Sequence, residues 1–133
     1  MSAAKYAREY YVDIVEKRYF ANVDAKNMQA VLDCFNPSAV FTIQSAFVTH
    51  EGRDTGVRRM FENLFTTYRR KIVHKNFRHI VDLENHCCAS QFEVELIDPD
   101  GKDVKLSNCN FFYLKDGKFE RVYVYMSGPN VLV

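Results

Sequence analysis

The chain has 133 residues, 47% hydrophobic and 26% charged, enough for one domain with a real core and too few for two. A net charge of +1 with no basic run argues against nucleic-acid binding. The opening Met1-Ser-Ala-Ala-Lys-Tyr6 lacks the apolar core of a secretory leader, and no segment is long enough to span a membrane, so a cytoplasmic location is expected. Four cysteines, Cys34, Cys87, Cys88 and Cys109, have neither a zinc spacing nor a disulfide framework. They read as buried free thiols, with no metal and no cofactor expected.

In chain order, Ala7, Tyr11, Val15 and Tyr19 recur four apart, predicting a helix from about Ala3 to Ala21. Val23-Asp24 reads as a staple and N-cap for a second helix that turns Met28, Val31, Leu32 and Phe35 inward and stops at Asn36-Pro37. A short strand over 39–44 follows, with Ala39, Phe41 and Ile43 on one face, then an extended piece from Phe47 to His50. His50-Glu51 falls in a loop before Gly52, from which a lid over a pocket could form. Gly52 introduces a third helix, about Asp54 to Arg69, with an inward stripe of Val57, Phe61, Leu64, Phe65 and Tyr68. Gly56 in its first turn permits close packing.

Four long strands close the chain. The first two, about Ile72 to Leu83 and Cys87 to Ile97, join near Glu84-Asn85. The second turns Phe92, Val94 and Leu96 inward and Gln91, Glu93 and Glu95 outward. Asp98-Pro-Asp-Gly101 leads into Lys102 to Lys115, and Asp116-Gly117 carries the type I′ hairpin signal into Lys118 to Met126. In that last strand Val122, Val124 and Met126 share one face, and Arg121, Tyr123 and Tyr125 the other. Neither face is a charged one, so a partner subunit is expected over the tyrosines as a homodimer contact. Helices ahead of an antiparallel meander give an α+β fold over residues 1–133, strongly twisted into a cone.

Three local patterns carry a resemblance: Tyr19-Phe-Ala-Asn-Val-Asp24 with Val31 to Phe35, Gly52 to Phe61, and the closing hairpin from Phe111 to Met126. Together they resemble the NTF2-like superfamily, with its SnoaL-like, ketosteroid isomerase-like and scytalone dehydratase-like branches. The resemblance implies a cystatin-like cone of three N-terminal helices on a curved, mostly antiparallel sheet, enclosing an apolar cavity. Counted along the isomerase pattern, the oxyanion-stabilising tyrosine falls on Tyr19. The general-base aspartate falls on Ile43, and the protonated aspartic acid on Cys109. Ile43 cannot accept a proton and a thiol donates weakly, so the isomerase arrangement is absent.

Two other candidates are His74 and His79, the titrating groups expected near the cavity, and histidine is the usual base at neutral pH. Five apart on a strand, they face opposite ways unless a bulge intervenes; parity favours His79 as the inward one. The expected lining is Tyr19, Phe41, Ile43, Phe61, Phe65, Phe92, Val94, Cys109, Phe111, Val122 and Val124, which suits a small hydrophobic ring-containing molecule. The expected activity is proton abstraction next to a carbonyl, by His79 or His74 with Tyr19 at the oxyanion; a non-catalytic binding or interaction module is the alternative.

Overall fold

A computed structural model describes residues 6–133; the expected start of the first helix at Ala3 lies outside them. The first helix covers residues 8–24, with an α-helical turn Arg8–Asp13, a π-helical stretch Ile14–Phe20 and a last turn Ala21–Asp24. Its buried side is Tyr11, Ile14, Val15, Tyr19, Phe20 and Val23. Because the helix runs on through Asp24, that residue is no N-cap. Asn27 caps the short second helix, Met28–Leu32, by accepting from the Ala30 N–H at 3.2 Å. The third helix covers residues 52–67, beginning with a π-helical turn Gly52–Val57 and continuing as Arg58–Thr67. Gly56 is the point of closest approach. A Cβ there would lie 2.6 Å from both the N and the O of Glu51.

Six strands form one sheet in the order β2-β1-β6-β5-β4-β3: β1 Phe35–Ile43, β2 Val48–Glu51, β3 Ile72–Asp82, β4 Cys87–Ile97, β5 Asp103–Lys115 and β6 Lys118–Tyr125. All neighbours are antiparallel except β1 and β6. Phe35, expected to end the second helix, instead begins β1. Pro37 is tolerated because the β1–β6 pairing shifts register between Phe35 and Val40, so no ladder donor is needed there. Glu120 closes the gap, accepting from Asn36 Nδ2 and Ser38 Oγ, each at 3.0 Å. The β5–β6 hairpin turns on Asp116 (φ 54°) and Gly117 (φ 80°), the two positive values a type I′ turn requires.

One irregularity decides which side chains face the helices. Asn76 has φ 58°, and the β3–β4 pairing shifts between Lys75 and Arg78. This bulge inserts one residue, so Ile72 and His74 before it share the inner face with Phe77, His79 and Val81 after it. The two histidines therefore lie on the same side of the sheet. The expectation that one of them faces outward is corrected here.

Candidate functional site

Beneath the first helix, Tyr19, Phe20, Val23, Phe61, Leu64, His74, Phe92, Val94, Asn108, Asn110 and Val124 are among the side chains lining a hollow. Val131 and Leu132, from the segment after β6, complete its wall. The cavity measures about 30 Å³, room for a water or two and too small for a ring.

Tyr19 stands in a box of aromatic rings, edge-on to Phe35, Phe61, Phe112 and Phe119 at centroid distances of 5.8, 6.1, 5.5 and 5.4 Å. Only 3% of it is exposed, and burial holds its hydroxyl well above the ordinary phenol range. It stays a neutral donor at any physiological pH.

His74 lies against Phe20 and Phe92, at ring distances of 4.5 and 5.6 Å, with its side chain 9% exposed. Asp24 holds it from two directions. One carboxylate oxygen accepts from the His74 backbone N–H at 2.9 Å, and the other meets Nδ1 at 2.5 Å. With Nδ1–H committed to the carboxylate, the free lone pair belongs to Nε2. This is the arrangement in which a carboxylate fixes an imidazole's tautomer and orientation.

A third polar group completes the site. Asn110 is 3% exposed, and its Oδ1 is buried with no hydrogen-bond partner among the described residues. An orphaned acceptor of this kind costs about 1–3 kcal/mol of stability, which a ligand or water donor at that point recovers.

His79, the histidine favoured by strand parity, does not line the cavity. Its Nε2 bonds to Glu16 of the first helix, its Nδ1 meets Ser90 Oγ at 2.8 Å, and the Cys88 sulfur is 3.8 Å away. Ser90 is fully buried, so this cluster ties helix to sheet with no room for a substrate.

The expected lining divides three ways. Tyr19, Phe61, Phe92, Val94 and Val124 face the hollow. Phe41, Ile43 and Val122 are 0% exposed and belong to the solid core beside it, and Phe65 packs at its margin. Cys109 and Phe111 are corrections, because both point to the other side of the sheet. Cys109 lines an open groove there with Arg78, Gln91 and Glu93, and Phe111 packs edge-on to Tyr125 at 6.0 Å. The inward residues of β5 are Leu106, Asn108, Asn110, Phe112 and Leu114. Asn108 and Asn110 were missed because apolarity was allowed to override parity. Phe92 pairs with Asn108 and Val94 with Leu106, so the inward set on β4 already fixes that on β5.

The carboxylates Glu95 and Asp82 on the neighbouring strands have ordinary structural partners. Glu95 joins Lys75 and Lys71, whose hydrogen bonds pull its carboxyl down to about 2. Asp82 accepts from the backbone and side chain of Asn85 in the β3–β4 turn. All four cysteines are free thiols, and burial raises Cys34 and Cys87 to about 11. No group of three or more potential metal ligands occurs among the described residues, and no helix among them is long and apolar enough to cross a membrane.

Comparison with known proteins places the domain and its fold. Residues 17–122 match the family profile described as a SnoaL-like domain. The sequence matched no curated protein. Among solved structures, a candidate isomerase from Bacillus subtilis superposes with a TM-score of 0.77 at 15% identity, covering 92% of this chain and 89% of that one. A candidate aromatic ring hydroxylase from Novosphingobium aromaticivorans gives 0.70 at 23% identity, covering 94% of each. A candidate polyketide cyclase from Pseudomonas putida gives 0.71 at 21% identity, covering 81% of this chain and 85% of that one. At these identities the likeness speaks for the fold, a cystatin-like α+β cone.

Proposed function

For a chain that belongs to the SnoaL-like domain family, we propose an enzyme that abstracts a proton from the carbon beside the carbonyl of a small hydrophobic cyclic compound. The observation that carries this reading is that His74, held by Asp24, lines the same hollow as Tyr19. In the proposed step His74 Nε2 takes the proton, the C–H electron pair becomes the carbon–carbon π bond of the enolate, and the carbonyl π pair moves onto the oxygen. The Tyr19 O–H donates a hydrogen bond to the resulting enolate oxygen, and Asp24 stabilises the imidazolium. Return of the proton at another carbon gives isomerisation or cyclisation chemistry, the classes named for structural relatives described as candidate isomerases and polyketide cyclases.

Exchange of the α-protons of 2-tetralone in D2O, followed by NMR, tests the step without knowledge of the natural substrate. The wild type should incorporate deuterium. His74→Gln should lower the rate about 10²–10⁴-fold, the usual contribution of a positioned base. Tyr19→Phe should lower it by a similar factor. Equal rates for wild type and His74→Gln would refute the assignment.

A second reading, a non-catalytic binding or interaction module, draws on the size of the hollow: about 30 Å³ offers no ready place for a ring. It predicts no exchange with any cyclic ketone. In either reading the chain pairs as a homodimer through the outer sheet face. On that face Tyr125 is 44% and Tyr113 37% exposed, and Arg121 lies 5.0 Å over the Tyr123 ring.

A further inference from the structure

The segment after β6 explains why a cavity with a histidine, a phenol and an orphaned amide oxygen is so small. Residues 126–133 leave the sheet as an irregular strap. Its root is fastened to the rim: Met126 N donates to Ser45 Oγ at 3.1 Å, Ser107 N to Ser127 Oγ at 2.8 Å, and Ser127 N to Asn108 Oδ1 at 3.3 Å. Beyond the root come Gly128 and Pro129, and then Asn130, which folds the tip by accepting from Leu132 N at 2.9 Å. The tip carries Val131 and Leu132 into the cavity wall, yet each is only half-buried.

What holds the tip down is slight. His50 Nε2 meets the Leu132 carbonyl at 3.0 Å, and Asn63 Nδ2, from the exposed side of the third helix, donates to the Val133 carbonyl at 2.9 Å. The first is part-buried and the second exposed, and each is worth about 1 kcal/mol net. No strand or helix ladder includes the tip, whereas the rest of the wall is sheet and helix. Segments with few buried contacts and exposed hydrogen bonds open at the least cost.

We propose that the strap is a displaceable plug: Val131 and Leu132 occupy the apolar subsite of the ligand, and a hydrophobic molecule binds by lifting them out about Gly128-Pro129. The proposal rests on the reading of the cavity as a ligand site, and extends it by naming the subsite and the group that fills it in the closed form. The ligand's apolar part is then about as large as two aliphatic side chains, and its polar end meets Tyr19, His74 and Asn110. Apparent affinity falls by the fraction of molecules that are open, so weakening the closure tightens binding.

The probe is 2-naphthol, a fluorescent bicyclic phenol, and no turnover is involved. Asn63→Ala removes one tip bond from an exposed position without touching the cavity, and Leu132→Ala removes the plug side chain. Each should bind 2-naphthol at least about threefold more tightly than wild type. Amide hydrogen exchange over residues 130–132 should become faster when the probe is bound. Unchanged or weaker binding by both variants, with native far-UV circular dichroism, would overturn the plug. Slower exchange in the tip on binding would do so too, since it marks the strap as a closing wall. Absence of binding to every form up to the solubility limit of the probe would also overturn it. Tighter binding by the variants without deuterium incorporation into 2-tetralone would uphold the plug while refuting the proposed proton abstraction.

Discussion

Asp24 was expected to cap a helix, and it instead spends both carboxylate oxygens on His74. Such double attachment fixes the ring against rotation and sets which nitrogen is free. If that is its role, Asp24→Asn acts through His74 and is a test of positioning. The amide can still accept from the backbone N–H but no longer carries the charge that favours imidazolium. We expect the exchange rate to fall about 10²-fold or more at neutral pH. An exchange rate equal to the wild type's would confine Asp24 to a structural role.

Among the elements, the pattern-readable ones were those whose sequence obeys one period throughout. The β5–β6 hairpin was legible because Asp116-Gly117 announces its turn, and β4 because Phe92, Val94 and Leu96 alternate cleanly. The lining of the site was less legible, since it hangs on two departures from regularity. Asn76 in a left-handed conformation inverts the parity of β3, and a polar residue able to adopt positive φ was its signal in the sequence. On β5, two asparagines take inward positions where an apolar residue would serve the core better. Gly56 is the element-scale feature whose role was legible in advance. Its replacement by alanine pushes a Cβ against the Glu51 backbone at 2.6 Å, where no side chain can swing away. Gly56→Ala should cost about 1–3 kcal/mol, seen as a lower midpoint in urea unfolding. An unchanged midpoint would mean that β2 and the third helix slide apart freely.

Across the whole molecule, the helices cover one face of the sheet and leave the other with a row of tyrosines. The exposed aromatic side chains Tyr113 and Tyr125, beside the Arg121–Tyr123 pair, form the patch we assign to self-association. Sedimentation at micromolar concentration should give a dimer that Tyr125→Asp converts to monomer. A monomeric wild type would leave that face to solvent. The same view explains why the first helix does so much. From one side of it Tyr19 and Phe20 reach the hollow, Asp24 reaches His74 and Glu16 reaches His79.

The most direct test of the central claim is the imidazole nitrogen spectrum of protein labelled with nitrogen-15 in its four histidines, recorded while 2-tetralone is added. The account predicts that the Nε2 resonance of His74 moves with saturation, that His50 follows as the strap lifts, and that His79, tied to Glu16 and Ser90, stays where it was. Saturable binding that leaves His74 unmoved would contradict it.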